Sequence, residues 1–306
     1  MKKIFIASAM VMLGASAFAQ SGSSVTLSGV VDAGIENAGG SAETSVTSGR
    51  DKSSQITFSG KESLGTGLNA TFKISTLIGT DTGSVQGIGN NDMYVGLEGD
   101  LGKLRIGRSF DPVYSHALTA NGTKGVTGYQ TLGTALSDRG IRVSNQVMYI
   151  TPVFYGLTAT ASYGAAEANG SRDALGLGVR YVQGPIEATY AASRSAGVNS
   201  KYVHQVAGAY DFRIARVSLT VQEDNNLNQD KHAYSLGVTG PVGPGLLWAS
   251  YDIRQIAGND NGQVVQAGYK YSMSRRTTVY AQVGFKNSAF NGNSSKGIGA
   301  GIAHSF

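Results

Sequence analysis

Hydrophobic and polar residues alternate along most of this chain with a period of two. Between residues 24 and 36, Val25, Leu27 and Val31 fall on one side of an extended chain, and Thr26 and Asp32 fall on the other. Strict alternation over short runs predicts β-strands that have one apolar face. The pattern recurs about sixteen times before the C-terminus, so we predict an all-β protein of about sixteen strands.

The connections between these predicted strands are of two kinds. Tight turns such as Leu64-Gly-Thr-Gly67 and Gly99-Asp-Leu-Gly102 alternate with longer, polar connections such as the predicted loop 37–52. Short turns on one side and long loops on the other are typical of a transmembrane antiparallel β-barrel of the outer membrane. The longest connection, residues 109–141, has no sustained strand or helix period. Loops of this length without regular structure are usually functional or disordered.

Charged residues within the predicted strands avoid the apolar face. An arginine or lysine on the lipid face near mid-membrane costs about 2–4 kcal/mol, so a barrel should direct its mid-strand charges inward. The residues that meet this expectation are Lys61, Lys73, Arg105, Arg180, Glu187, Arg216, Asp252, Arg254, Lys270 and Lys286. We therefore predict a wet lumen, lined by the basic residues Lys61, Lys73, Arg105, Arg180, Arg216, Arg254 and Lys270. A soluble β-sandwich gives the same alternation and is the alternative fold.

Residues 1–19 have the features of a secretory signal peptide. Lys2 and Lys3 precede an apolar run over residues 4–13, and Ala17-Phe-Ala19 is a cleavage pattern. We predict that these residues are removed and that residues 20–306 form a barrel domain in the outer membrane of a Gram-negative cell. An uncleaved anchor is the alternative, but the apolar run is too short for one.

Composition excludes several kinds of chemistry. The chain has no cysteine, so it has neither disulfides nor thiolate metal sites. Its four histidines are not at metal-ligand spacing, and no G-x-S-x-G frame accompanies them. The chain has no run of basic residues that would predict a nucleic-acid partner. We therefore predict a protein that is not an enzyme and that has no catalytic, cofactor or metal site.

Several short stretches together carry a resemblance to a known family. They are Ser24-Val-Thr-Leu-Ser-Gly-Val-Val-Asp-Ala-Gly34, Tyr94-Val-Gly-Leu-Glu-Gly99, Arg105-Ile-Gly-Arg108, Arg142-Val-Ser-Asn-Gln-Val-Met-Tyr149, Arg275-Arg-Thr-Thr-Val-Tyr280 and the terminal Phe306. In order and spacing they resemble the trimeric general porins of Gram-negative bacteria, especially the β-proteobacterial branch. The resemblance implies a sixteen-stranded homotrimeric barrel among outer-membrane lipids and lipopolysaccharide. It also implies that Phe306 is read by the outer-membrane assembly machinery.

The resemblance further implies that the third long loop, residues 109–141, folds into the lumen and forms a pore constriction, where arginines of the barrel wall face acidic groups. Arg108 and Arg142 match the family's wall arginines, and Gln55 stands where a further arginine is usual. Asp111 is one of few acids in the loop, and Asp92 could add a wall carboxylate. These five residues are the expected pore constriction.

The orientation of Arg108 depends on a local break in the strand. Alternation alone directs Arg108 outward, together with Leu104 and Ile106. A break at Gly107 would turn it inward, as the resemblance implies.

These patterns predict a passive diffusion channel for ions and small hydrophilic solutes, with a preference for anions. A substrate-selective channel with a lumenal site for sugars or organic anions is one alternative. A barrel enzyme and a secreted adhesin are alternatives of another class.

Overall fold

The computed structural model describes residues 22–39, 43–120, 142–197, 201–224, 231–256, 262–287 and 295–306. The predicted signal peptide and residues 121–141 of the long loop lie outside this part of the chain. The described elements are β1 (Ser24–Asn37), β2 (Thr44–Ser48), β3 (Gln55–Gly65), β4 (Leu68–Leu77), β5 (Asp92–Gly99), β6 (Gly102–Phe110), α1 (Pro112–Ala120), β7 (Arg142–Ile150), β8 (Leu157–Gly164), β9 (Ala174–Gln183), β10 (Ile186–Arg194), β11 (Val203–Asp211), β12 (Arg216–Asp224), β13 (Lys231–Val242), β14 (Gly245–Ile256), β15 (Gly262–Ser272), β16 (Thr277–Lys286) and β17 (Ser295–Ser305).

The strands form one antiparallel sheet that closes on itself. Each strand pairs with the next strand in the chain, except that β2 and β3 both pair with β1, and β1 closes the barrel by pairing with β17 over residues 30–37. The other edge of β1 pairs with β3 over residues 24–30 and with β2 over residues 33–37. The seventeen strands in the described residues therefore occupy sixteen positions around the barrel. The predicted sixteen-stranded barrel is confirmed, and β2 is an extra strand inside a segment that we had interpreted as a loop.

In contrast to the sheet of a soluble protein, this sheet has an exposed apolar face and a buried polar face. Apolar side chains on the outer face are exposed, for example Val95 at 60%, Leu219 at 53% and Leu236 at 50%. Polar side chains on the inner face are buried, for example Thr220 and Asp252, both at 1%. An outer apolar band around a closed barrel matches a hydrocarbon surrounding. The arrangement is that of a membrane barrel and not of a β-sandwich, in which the apolar faces would pack against each other.

A single residue, Asp111, separates the end of β6 from the start of the helix α1. The Asp111 carboxylate accepts a hydrogen bond of 2.7 Å from the Val113 amide, and the Asp111 carbonyl accepts one of 3.0 Å from Ser115. Aspartate at the N-cap followed by proline at the first helical position is a strong helix-start signal. Our prediction of a loop without regular structure is therefore wrong for Pro112–Ala120. No helix in the described ranges is long and apolar enough to cross a membrane.

Candidate functional site

The helix α1 lies against the inner face of the barrel, where two glycines of β9 make room for it. A Cβ atom added at Gly176 would lie 2.7 Å from the Pro112 ring, and one added at Gly178 would lie 2.3 Å from His116 Nε2. Both distances are far below van der Waals contact. The helix can approach the wall this closely only because these two positions lack side chains.

Apolar packing and one polar contact complete the docking of α1. Val113 forms a buried cluster with Ala191 of β10 and Val203 of β11. The Ser193 hydroxyl donates a 2.9 Å hydrogen bond to the Asp111 carboxylate, which also caps the helix. The loop therefore enters the lumen at its start. The path of residues 121–141 lies outside the described residues, so the inward folding of the whole loop stays a prediction.

His116 is the buried titratable group of α1. Its side chain is 6% exposed, and Nδ1 has no hydrogen-bond partner in the part of the chain that the structure describes. Burial lowers the pKa of His116; the nearby Arg180 guanidinium lowers it further, and the Glu187 carboxylate opposes both effects. The docked imidazole is therefore neutral at neutral pH.

Arg142 connects the start of β7 to the loop. Its Nε donates to the Asn91 carbonyl at 2.8 Å and to the Asn91 Oδ1 at 3.0 Å. Its guanidinium lies 4.7 Å from the centre of the Phe110 ring, which stacks on Tyr114 at 5.2 Å. The arginine and the first turn of α1 are thus joined through one cation–π contact and one aromatic stack.

Gln55 belongs to the same hydrogen-bonded network. Its Oε1 accepts hydrogen bonds from the Asn91 amide and, at 3.1 Å, from the Ser75 hydroxyl. Since Asn91 also holds Arg142, two of the five predicted constriction residues meet at one asparagine. The importance of Asn91 could not be recognised from the sequence, because its hydrogen-bond partners lie on three different strands.

The backbone places Arg108 at an irregular point of β6. Arg108 is aligned with Met93, whose side chain is 46% exposed on the outer face, as simple alternation predicts. The pairing with β7 then shifts register between Gly107 and Ser109, and Gly107 has a φ of +143°. The guanidinium donates to the Asn90 carbonyl at 3.1 Å and to the Ser144 hydroxyl at 2.6 Å. It is therefore fixed at the ends of β5 and β7.

The two predicted acidic groups are buried and bonded. Asp92 forms a 2.7 Å ion pair with Lys73, and it lies on β5, next to the arginine-bearing strands instead of opposite them. Asp111 caps α1 and contacts Ser193 on the far wall. Only Asp111 therefore stands on a different wall from the arginines.

The inner wall is unevenly covered among the described residues. Polar inner-face residues of β10–β16 are almost all buried, for example Gln205 at 1% and Gln222 at 3%. Among the predicted lumenal cations, Lys61 of β3 is exposed, whereas Arg105, Arg216, Arg254 and Lys270 are half-buried. We call the face of β3–β6 that carries Lys61 the open wall.

This open wall is basic. Lys73 pairs with Asp92, and Lys103 pairs with Glu98 at 3.3 Å. Lys61 and Arg105 stand on the same wall, and the Arg105 guanidinium lies 4.6 Å above the Tyr94 ring. Two of the four cations are thus balanced by carboxylates on this wall, and two are in excess.

The other predicted lumenal cations lie on the inner face of the remaining strands. Glu187 accepts a 2.8 Å bond from Arg180 and a 2.6 Å bond from Arg216, so two guanidinium groups share one carboxylate. Lys270 of β15 pairs with Asp51, which comes from the segment between β2 and β3. Arg254 follows the alternation of β14 and shares its inner face with the buried Asp252.

No cluster of three or more His, Asp or Glu side chains that could bind a metal ion occurs among the described residues. A closed sixteen-position barrel with an apolar exterior, a polar interior and a helix docked on its inner face is the architecture of an outer-membrane channel.

The comparisons with known proteins give the family. A sequence profile described as Gram-negative porin matches residues 7–290, so the chain belongs to the Gram-negative porin family. It is 30% identical to outer membrane porin protein 32 of Delftia acidovorans, over 98% of this chain and 95% of that protein. It is therefore an outer-membrane porin, a passive channel and not an enzyme.

Two solved structures share the fold. An anion-selective porin from Comamonas acidovorans matches with a TM-score of 0.84 and 24% identity, covering 93% of this chain and all of that chain. OmpT of Vibrio cholerae, described as a trimer form, matches with a TM-score of 0.73 and 17% identity, over 94% of this chain and all of OmpT.

Proposed function

We propose that this porin prefers anions. The main support is the open wall of β3–β6. Two of its cations are paired with carboxylates, so Lys61 and Arg105 are left as excess positive charge. Fixed positive charge along an aqueous path raises the local concentration of anions and lowers that of cations. The description of the similar Comamonas porin as anion-selective agrees with this assignment.

The narrowest part of the pore is assigned to the region between the long loop and the β3–β7 wall. Arg108 and Arg142 supply its positive potential, and Gln55 is a neutral lining group. Asp111 supplies the negative side, and Asp92 moderates the potential beside the arginines. The link from Arg142 through Phe110 to Tyr114 supports this assignment because it holds the loop beside the arginine.

The assembled state is a homotrimer whose outer faces contact outer-membrane lipids and lipopolysaccharide. The trimer form of OmpT and the exposed apolar outer face support this proposal. Phe306 is the signal for the assembly machinery: its backbone is hydrogen-bonded to Gly29, while its side chain remains 42% exposed. Residues 1–19 are the signal peptide, and 20–306 are the mature porin.

The test of anion preference is a reversal potential in planar bilayers under a salt gradient. We expect the wild-type potential to have the sign of anion flow, and Lys61→Gln/Arg105→Gln to move it toward zero. The matched control removes two exposed cations from the β15–β16 turn, as Arg275→Gln/Arg276→Gln, and should leave it unchanged. A cation-selective wild type, or equal shifts in both double variants, would refute the proposal.

A further inference from the structure

The barrel contains a second segment that leaves the sheet, between β2 and β3. Ser48 is aligned with Ala33 of β1, and Gln55 is aligned with Val30. The six residues 49–54 therefore span a gap that holds only two residues of β1, Val31 and Asp32. The surplus chain must leave the plane of the sheet, and Gly49, with a φ of +70°, supplies the turn.

This segment leaves the sheet on the lumenal side. Asp32 is fully buried on the inner face of β1, and its Oδ2 accepts hydrogen bonds of 2.7 Å from the amides of Asp51 and Lys52. Since the carboxylate points inward, the backbone that it binds must lie inside the barrel. The Ser54 hydroxyl closes the loop by donating 3.0 Å to the Asp32 carbonyl.

Contacts from β15 and β16 hold residues 49–54 in place. The Tyr280 hydroxyl of β16 donates a 2.6 Å hydrogen bond to the other Asp32 oxygen. Added Cβ atoms at Gly301 and Gly34 would lie 2.3 and 3.0 Å from that hydroxyl, so both glycines are needed for the phenol to cross β17. Lys270 of β15 forms an ion pair with Asp51, whose side chain is 1% exposed.

The charges of the segment are balanced except at one residue. Arg50 pairs with Glu36 at 2.6 Å, and Asp51 pairs with Lys270. Lys52 is exposed and has no ion pair among the described residues, although its backbone is fixed by Asp32. Lys52 is therefore an ammonium group carried into the lumen on an anchored backbone.

The segment lies far around the barrel from α1. Its contacts are on β1, β15 and β16, whereas α1 contacts β8–β12. In a ring of sixteen positions these two sets lie on largely opposite walls. The aqueous path therefore passes between two in-folded segments.

We propose that residues 49–54 form a second constriction element and that Lys52 is a charge-selecting residue of the passage. This inference rests on the proposed anion preference for the sign of its effect. The anchoring contacts of Asp32, Asp51 and Lys270 position the segment, and Lys52 faces the permeating ions.

The experiment uses the absence of native cysteine, which makes any introduced thiol unique. The variant Lys52→Cys is reconstituted in planar bilayers and treated with a sulfonate-bearing methanethiosulfonate or with its trimethylammonium analogue. We expect the sulfonate to move the reversal potential toward cation selectivity and to lower the conductance. The ammonium reagent should restore the wild-type sign. Arg276→Cys, in the exposed β15–β16 turn, is the matched control and should show neither shift.

A second variant tests the anchoring. Asp51→Asn/Lys270→Gln removes both partners of the ion pair, so neither charge is left alone. Combined with Lys52→Cys, it should reduce the shift that the sulfonate reagent produces. If Lys52→Cys is fully labelled by mass spectrometry and the reversal potential does not change, the proposed role of Lys52 is wrong. If the shift is equal with and without the ion pair, the positioning role of Asp51 and Lys270 is wrong. A wild type without anion preference would instead refute the proposed function, so the two failures are distinguishable.

Discussion

The docking of α1 can be tested by filling the two glycine positions beneath it. In Gly176→Ala/Gly178→Ala, the new methyl groups would lie 2.7 Å from the Pro112 ring and 2.3 Å from His116 Nε2. Ordinary contacts lie near 3.5–4.0 Å, so the helix or its side chains must move by roughly 1 Å. Overpacking of this kind costs about 1–3 kcal/mol per site. The double variant should therefore weaken the docked state by a few kcal/mol.

A displaced α1 must move from the wall toward the aqueous path. A nine-residue helix is roughly 13 Å long, so a 1 Å displacement removes on the order of 10 Å² of cross-section. We expect a smaller and noisier single-channel conductance in the double variant, recorded in planar bilayers at high salt. At high salt, surface charge is screened and the cross-section dominates the conductance.

Gly208→Ala is the matched control for this variant. Gly208 lies on β11, and its nearest neighbour is 3.8 Å from an added Cβ, which is ordinary contact. Its conductance should equal that of the wild type. If the double variant folds to a heat-modifiable barrel and conducts with the same amplitude and noise as this control, α1 does not border the passage.

Three further predictions concern pH, charge and the lipid face. Because burial lowers the pKa of His116, docking is complete above its ordinary pKa of about 6.5 and weakens as the pH falls further, so current noise should rise in acid. His116→Gln should remove this pH dependence, and equal noise profiles in both proteins would contradict it. Arg108→Ala/Arg142→Ala should move the reversal potential toward cations; an unchanged potential would exclude both arginines from the constriction. Phe58→Arg, on the exposed outer face, should cost about 2–4 kcal/mol of unfolding free energy in urea titrations, whereas Ser59→Arg, on the inner face, should cost much less. Equal losses would contradict the assignment of faces.

The alternation of apolar and polar residues predicted the barrel because the bilayer imposes it on every strand. A strand that crosses the membrane must be apolar on one side and can be polar on the other, so the signal is local and repeated. The same rule directed Lys73, Arg105 and Arg180 to the inner face, where the structure shows their ion-pair and ring contacts. Two local signals were misread: Asp111-Pro112, which starts α1, and residues 44–48, which form β2.

The contacts that shape the lumen could not be predicted from the sequence in this way. Tyr280 and Asp32 are separated by 248 residues, and Ser193 and Asp111 by 82, so no periodicity connects them. The glycines that admit α1 and Tyr280 also look like ordinary strand glycines until their neighbours are known. The shape of the aqueous passage therefore depends on contacts between residues far apart in the chain, whereas the barrel itself follows from a local sequence pattern.

The two in-folded segments explain why the buried charges of the inner face are paired. Where α1 and residues 49–54 cover the inner face, a charge needs a partner, because burying an unpaired charge costs far more than pairing it. Asp51 with Lys270 and Glu187 with its two arginines meet that requirement. On the uncovered wall, water solvates Lys61 and Arg105, so no partner is required there. Burial thus requires partners for the charges on the covered walls, whereas water permits unpaired cations on the open one, so Lys61 and Arg105 can stand there without carboxylates.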